Sequence, residues 1–227
     1  MDLKEHIRGI PDFPIPGILF YDISTLLSNP SAWSHTLDLL EEIVKKWNPD
    51  ILAGIESRGF LLASALADRM KLPMAMIRKK GKLPGEVISH EYQLEYGTDI
   101  VEIQSDAISS GQKVVILDDL LATGGTLAAC ANLCDQVGGD VVGCAVIIEL
   151  DFLNGRKNIP FTLKRIVNYE KSRLCDGVVK NTTCDIIATK SIIIPLLGKT
   201  CNPRRVKEKM SLAHLATLLM EMMTGLL

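Results

Sequence analysis

The sequence feature that most constrains this chain is an apolar run followed by two acids and a turn of small residues, over residues 114–126. The apolar part, residues 114–117, predicts a buried parallel strand, because a strand covered on both faces need not alternate apolar and polar side chains. Residues 127–134 predict a helix with one apolar stripe. The turn therefore joins the carboxyl end of a strand to the amino end of a helix, where backbone N–H groups and the helix dipole favour an anion.

The composition of this turn indicates a sugar phosphate rather than a simple phosphate. Glycines let the backbone approach a phosphate closely, threonines offer hydroxyls, and the two acids can accept hydrogen bonds from ribose hydroxyls. The sequence has no motif of a nucleoside triphosphatase or a dinucleotide-binding fold here. A strand–helix turn with an acidic cap is the plain alternative. The candidate residues are Asp118, Asp119, Ala122, Thr123, Gly124, Gly125 and Thr126.

Length, charge and cysteine content limit the classes of protein to which this chain can belong. A chain of 227 residues can build one good-sized core. Its formal net charge of -2 argues against a general nucleic-acid or membrane-surface binder, because those proteins usually need a basic excess. The six cysteines lack the spacing of metal ligands, and the charged N-terminus shows no secretory signal. We therefore expect a reduced, cytoplasmic environment, with no nucleic acid or membrane as partner.

A second strand–turn–helix unit precedes the first. Residues 51–55 predict another buried strand, and a helix rich in alanine and leucine runs to Met70. Between them lie Ser57 and Arg58, and the guanidinium of Arg58 is a planar donor fork suited to phosphate oxygens. Repeated units of this kind predict an α/β fold with an open, mostly parallel central sheet flanked by helices.

Three further stretches each allow two interpretations. Residues 7–24, the hood, hold three prolines and two glycines among apolar residues, so they predict a non-helical loop that either packs on the core or covers a site. The basic residues of segment 78–85 are either solvated surface or a mobile anion-binding loop. Residues 86–103 alternate in polarity and predict a two-stranded flap.

Several of these stretches resemble one family. Residues 114–126 resemble the motif that binds 5-phosphoribosyl-1-pyrophosphate (PRPP) in type I phosphoribosyltransferases. Within that group, Pro-Asp-Phe-Pro-x-Pro-Gly-Ile-Leu-Phe-x-Asp-Ile-Ser, Arg-Lys-x-Gly-Lys-Leu-Pro-Gly and Tyr-x-Leu-Glu-Tyr-Gly are similar to segments of adenine phosphoribosyltransferases. The resemblance extends from about residue 7 to 169. One departure is Tyr21, where many members of the family have arginine.

The resemblance implies a reaction: transfer of the phosphoribosyl group from PRPP to adenine, which gives AMP and pyrophosphate in purine salvage. It also implies Mg²⁺ held mainly through substrate oxygens, which suits an ion that loses water reluctantly, and a homodimer. Glu95 would exchange a proton with the purine, and Phe20, Tyr21 and Leu120 would contact adenine. The residues implied to bind PRPP are Ser57, Arg58, Arg78, Lys79, Lys82, Tyr96, Asp118, Asp119, Ala122, Thr123, Gly124, Gly125 and Thr126. The bond between Glu56 and Ser57 would be a cis peptide.

The predicted organisation is one phosphoribosyltransferase domain over residues 1–170, with its hood at about 7–24 and a mobile flap at about 79–103. Residues 171–227 form a C-terminal extension whose role the sequence does not indicate. Two rival functions stay open at this point. One is transfer to another purine base, and the other is a non-catalytic regulator that binds PRPP.

Overall fold

The computed structural model describes residues 1–13, 18–93 and 98–170. The strands are β1 (Arg8–Pro11), β2 (Leu19–Asp22), β3 (Ile51–Ile55), β4 (Met74–Lys79), β5 (Val87–Gln93), β6 (Thr98–Gln104), β7 (Lys113–Leu121), β8 (Asp140–Leu150) and β9 (Leu163–Tyr169). The α-helices are α1 (Ser24–Leu27), α2 (Pro30–Lys45), α3 (Gly59–Met70) and α4 (Gly125–Gln136), and short 3₁₀ helices span Leu3–His6, Asp151–Leu153 and Gly155–Asn158.

A seven-stranded sheet in the order β5-β6-β4-β3-β7-β8-β9 forms the centre of the structure. The five strands from β4 to β9 in this order are parallel, and β6 joins β4 and β5 in antiparallel pairs. The predicted open, mostly parallel sheet is therefore confirmed, as is the two-stranded arrangement of the flap. Mobility of the flap stays a prediction.

Helices cover both faces of this sheet because the central strands are apolar on both. Leu52 of β3 and Leu117 of β7 pack in a cluster with helices α2 and α3. Ile51 of β3 and Ile116 of β7 point to the other face and pack in a second cluster with helix α4. Every residue of β3 is buried. This two-sided burial explains why the sequence of the strand does not alternate.

Strand β7 is longer than the sequence predicted. We expected the strand to end at residue 117, before the two acids, but it continues to Leu121. Asp118 pairs with Val146 of β8 and Leu120 pairs with Ile148. The partner strand β8 is long enough to extend the ladder, so the two carboxylates project from the strand itself and the turn begins at Ala122.

The Asn29-Pro30 pair predicts a helix start with proline at the first helical position, and helix α2 begins there. The Asn29 side chain accepts hydrogen bonds from the backbone N–H groups of Ser31 and Ala32. The apolar spacing also predicts a buried stripe of Trp33, Leu37, Leu40, Val44 and Trp47, and this prediction is partly wrong. Trp33 and Trp47 are half-buried, whereas the small side chains of Ala32 and Thr36 take fully buried places. The ring of Trp47 lies against Gly143 of β8, where an added Cβ atom would be 2.6 Å from it.

The hood contains a small antiparallel sheet that the sequence did not predict. Strand β1 pairs with β2, with Gly9 opposite Tyr21. The ring of Tyr21 stacks on Tyr169 of β9 at a centroid distance of 4.0 Å and an interplanar angle of 28°. This contact attaches the hood to the edge of the main sheet. Residues 14–17 of the hood lie outside the described residues.

The C-terminal extension, residues 171–227, also lies outside the described part of the chain, so the division at residue 170 stays a prediction. Among the described helices, none is long and apolar enough to cross a lipid bilayer.

The first residues of helices α3 and α4 give a matched test of core packing. Both are glycines, and within a helix alanine is usually the more favourable residue by up to about 1 kcal/mol. A Cβ atom at Gly59 would lie 2.5 Å from the carbonyl oxygen of Leu117, whereas one at Gly125 would meet nothing within 4 Å. We expect Gly59→Ala to lower the free energy of unfolding by about 1–3 kcal/mol, and Gly125→Ala to leave it unchanged or raise it. Urea denaturation measures both, and equal stabilities would contradict this account of the packing.

Candidate active site

A cavity lies at the carboxyl ends of the parallel strands, beneath the hood. Segments that are far apart in the sequence meet there, because parallel strands bring their following turns to one edge of the sheet. The lining residues are Ile18, Leu19, Phe20, Tyr21, Ile55, Glu56, Ser57, Arg58, Ile77, Arg78, Lys79, Lys82, Val101, Asp118, Asp119, Leu120, Ala122, Thr126, Leu150 and Leu153.

Most of the site residues predicted from the sequence line this one cavity. The exceptions fall into two groups. Thr123, Gly124 and Gly125 belong to the same turn as lining residues but are not part of the lining itself. Glu95 and Tyr96 lie outside the described residues, so their predicted roles are not tested by the structure.

The two strand–helix units meet through a partly buried ion pair. Strands β3 and β7 are parallel neighbours, with Gly54 opposite Leu117. Nε of Arg58 donates a hydrogen bond of 2.5 Å to Oδ2 of Asp119, which is only 4% exposed. Burial alone would lower the pKa of Arg58, but Asp119 outweighs it and the pKa is raised. The guanidinium therefore stays charged beside the two acids.

The other acid of the pair, Asp118, has a different environment. Burial raises the pKa of Asp118 well above its ordinary value, and the neighbouring charge of Asp119 raises it further. A carboxyl group of this kind keeps its proton to a higher pH than an exposed aspartate does. Asp118 and Asp119 are thus adjacent in sequence but differ in environment, and Asp119 is already engaged by Arg58.

Glu56 accepts hydrogen bonds from basic residues of the site, and the sequence patterns did not predict it as a site residue. It accepts hydrogen bonds of 3.2 Å from Nε and Nη2 of Arg78, 2.7 Å from Nζ of Lys82 and 3.1 Å from the backbone N–H of Lys79. Burial alone would raise the pKa of Glu56, but these bonds outweigh it and the pKa is lowered. The Glu56–Ser57 peptide bond is cis, as the family resemblance predicted. An acid at the end of a buried strand was the signal that could have revealed this residue.

The turn of residues 122–126 forms a second, donor-rich part of the site. Gly124 has a φ of +85°, a conformation that favours glycine, and helix α4 begins at the next residue. The first backbone N–H groups of the helix have no partner in the preceding turn of helix, which leaves them available to an anion. The hydroxyl of Thr126 lies 3.3 Å from the hydroxyl of Tyr92, on the flap strand β5.

Tyr92 was also missed as a site residue, although it opens one of the family-like segments. Its hydroxyl donates a hydrogen bond of 3.1 Å to Asp99 of β6, and Asp99 also pairs with Nζ of Lys79. Burial raises the pKa of Tyr92 to about 12. The base of the flap is thus connected both to the turn at Thr126 and to the basic segment.

The apolar end of the cavity is formed under the hood. Phe20 and Leu120 both line it, and the guanidinium of Arg58 lies 5.6 Å from the centre of the Phe20 ring. Leu150 and Leu153 add to this apolar lining, although no local pattern marks them as site residues. Tyr21 lines the cavity too, but it is only 5% exposed and its ring is stacked in the contact described above.

Known proteins are similar to this chain in both sequence and fold. A family model described as phosphoribosyl transferase domain matches residues 22–177. The adenine phosphoribosyltransferase of Gluconacetobacter diazotrophicus is 56% identical over 170 residues, which cover 75% of this chain and 97% of the relative. That of Rhodospirillum rubrum is 58% identical over 170 residues, with coverages of 75% and 99%.

Solved structures agree with these relatives. The adenine phosphoribosyltransferase of Thermoanaerobacter pseudethanolicus is 43% identical, with a TM-score of 0.72 over 74% of this chain and 98% of that one. The enzyme of Saccharomyces cerevisiae, solved with adenine and an imino-altritol bisphosphate, is 38% identical, with a TM-score of 0.69 over 73% and 96%. The resemblance seen in the sequence is confirmed: this chain belongs to the phosphoribosyltransferase family and, within it, to the adenine phosphoribosyltransferases.

Proposed function

We propose that this chain transfers the 5-phosphoribosyl group of PRPP to adenine, which gives AMP and pyrophosphate. The observation that carries the proposal is the convergence of three segments on one cavity. The cis-peptide turn after β3, the basic segment at the end of β4 and the acidic end of β7 with its turn all line it. Such an arrangement suits a ligand with a phosphate at each end of a sugar. The names of the relatives support adenine as the acceptor.

The pyrophosphate of PRPP would bind to Arg58, Arg78, Lys79 and Lys82. As the bond from C1 of the ribose to pyrophosphate breaks, negative charge grows on the leaving oxygens, and fixed cations stabilise that charge. In the structure, Glu56 accepts hydrogen bonds from Arg78 and Lys82. Pyrophosphate would therefore have to replace the carboxylate of Glu56, and its higher charge favours that exchange.

The ribose and the 5′-phosphate would bind along β7 and its turn. Asp118 and Asp119 would accept hydrogen bonds from the ribose hydroxyls. The 5′-phosphate would lie on the turn of residues 122–126, where the amino end of helix α4 supplies N–H donors and Thr126 supplies a hydroxyl.

Adenine would lie between Phe20 and Leu120, because a flat apolar slot is how a protein holds a purine ring. At Tyr21 the backbone remains for contact with the base, since the side chain is stacked on Tyr169. Glu95 would exchange a proton with the purine as its N9 becomes the nucleophile. Tyr96 would flank the pyrophosphate or ribose. The flap would exclude water, which would otherwise attack the same carbon.

Magnesium fits this site as an ion brought by the substrate. Within the described residues no three His, Cys, Asp or Glu side chains are grouped so that they could hold a metal ion. Oxygens of PRPP and water would supply most of its ligands, with Asp118 and Asp119 as nearby carboxylates. When bound, the ion would neutralise charge on the pyrophosphate. We further expect a cytoplasmic homodimer that binds neither nucleic acid nor membrane.

An assay of the full chain with PRPP, Mg²⁺ and one free base at a time tests the function. We expect kcat/KM for adenine to exceed that for hypoxanthine or guanine by about 100-fold or more, because hydrogen-bonding sites reject bases with the wrong edge. Preference for another base would contradict adenine as the acceptor. Binding of PRPP by calorimetry without any nucleotide product would indicate a regulator instead of an enzyme.

Two variants, one in each proposed subsite, test the assignment of adenine and PRPP contacts. Phe20→Ala should raise KM for adenine about tenfold through the lost stacking and leave KM for PRPP nearly unchanged. Lys82→Ala should raise KM for PRPP about tenfold through the lost charged contact and leave KM for adenine nearly unchanged. Steady-state kinetics measures both, and each variant serves as the control for the other. If both constants rose together in either variant, the assignment of the two subsites would be wrong.

Glu95→Gln tests the proposed proton transfer. Loss of a general acid or base should lower kcat by about 100-fold or more, while binding of PRPP measured by calorimetry stays close to that of the unchanged protein. Glu91→Gln is the matched control, since Glu91 is an exposed residue of the same flap. AMP formation by Glu95→Gln within about threefold of the control would exclude a general acid–base role of the expected size.

A further inference from the structure

The segment after strand β8, residues 151–158, lies directly against the turn of residues 122–126. A Cβ atom at Gly155 would lie 2.0 Å from the carbonyl oxygen of Ala122, and one at Gly124 would lie 2.5 Å from the carbonyl oxygen of Gly155. The two main chains therefore touch at a pair of glycines, with no side chain between them. Any displacement of one main chain at this point has to move the other.

A side chain of the same segment adds a directed contact. Nδ2 of Asn158 donates a hydrogen bond of 2.8 Å to the backbone carbonyl of Thr123. This bond occupies the backbone carbonyl oxygen of Thr123. The N–H groups at the start of helix α4 are left available to a ligand. Contact at Gly155 and this bond together fix the turn at consecutive residues.

The segment is itself anchored to the sheet. Arg156 donates hydrogen bonds of 2.9 Å and 2.5 Å to the two carboxylate oxygens of Glu149, and a third of 2.8 Å to the backbone carbonyl of Leu163. Glu149 is only 3% exposed and also accepts a bond of 2.7 Å from Arg165 of β9. A forked arginine on a buried carboxylate restricts geometry strongly. The segment is thus held by strands β8 and β9 on one side and meets the turn on the other.

We infer that residues 151–158 are a positioning element for the 5′-phosphate, with Gly155 and Asn158 as its contacts to the turn and the Arg156–Glu149 pair as its anchor. The inference rests on the proposed function, since it assigns the phosphate to the turn of residues 122–126. Neither Gly155 nor Asn158 lines the cavity. Both act on the ligand through the backbone that they hold.

Asn158→Ala and Gly155→Ala test the inference, with Lys157→Ala as the matched control. The side chain of Lys157 is exposed, and the residue lies between Gly155 and Asn158 in the sequence. Loss of the Asn158 bond should raise KM for PRPP about two- to tenfold, with KM for adenine unchanged. The methyl group of Gly155→Ala should displace the turn and raise KM for PRPP further, by about 100-fold for a shift near 1 Å. Calorimetric affinity for ribose 5-phosphate should fall in the same order.

The measurements separate a wrong inference from a wrong function. If Asn158→Ala matched Lys157→Ala in KM for PRPP and in affinity for ribose 5-phosphate, the inference would be overturned. A parallel rise in KM for adenine would also overturn it, because it would indicate general damage instead of a displaced turn. If Gly155→Ala does not fold, Asn158→Ala still tests whether the segment positions the turn. If the unchanged protein lacked transferase activity, the proposed function would fail, while ribose 5-phosphate binding would still report on the turn.

Discussion

Strands β3 and β7 can bring their following segments into contact because glycines stand where a side chain would keep them apart. A Cβ atom at Gly54 would lie 2.9 Å from the Cβ of Ala63, and one at Gly59 would lie 2.5 Å from the carbonyl oxygen of Leu117. Helix α3 therefore starts against the end of β7, and Arg58, just before the helix, reaches Asp119. The chemistry of the site depends on this close approach. A helix held further from the sheet would leave the guanidinium and the two acids without a common ligand.

The cations of the site are paired with carboxylates of the protein itself. The pairs are Arg58 with Asp119, Arg78 and Lys82 with Glu56, and Lys79 with Asp99. These pairs keep the basic residues ordered at the cavity and offset the repulsion among them. On the proposed reaction, a ligand must compete with a carboxylate for each cation. Pyrophosphate carries several charged oxygens and can do so, whereas a singly charged anion gains little from the exchange, so the pairing favours a densely charged ligand.

Local sequence patterns predicted the central strands and the turns after them. An apolar run indicates a buried strand, and a Gly-rich turn directly after it indicates contact with a ligand. The same reasoning ended β7 too early, since the length of a strand depends on its partner and Leu120 is held by Ile148 of β8. It also missed Glu56 and Gly155. The position of Glu56 at the end of a buried strand was a local signal, but its contact with Arg78 joins distant segments. The same holds for the contact of Gly155 with the turn at Ala122, for which the sequence has no local pattern.

The order of strands in the sheet explains why these distant segments belong to one site. In the order β4-β3-β7-β8, every strand is parallel to the next, so the segments that follow them meet at a single edge. Across that edge the basic segment follows β4, the Ser57–Arg58 turn follows β3, the turn of residues 122–126 follows β7 and its support follows β8. On the proposed function, this sequence of segments is also the sequence of parts in PRPP, from pyrophosphate through ribose to 5′-phosphate. An exchange of two neighbouring strands would keep every one of these residues and still separate the cations from the phosphate turn, so topology and side chains specify the ligand together.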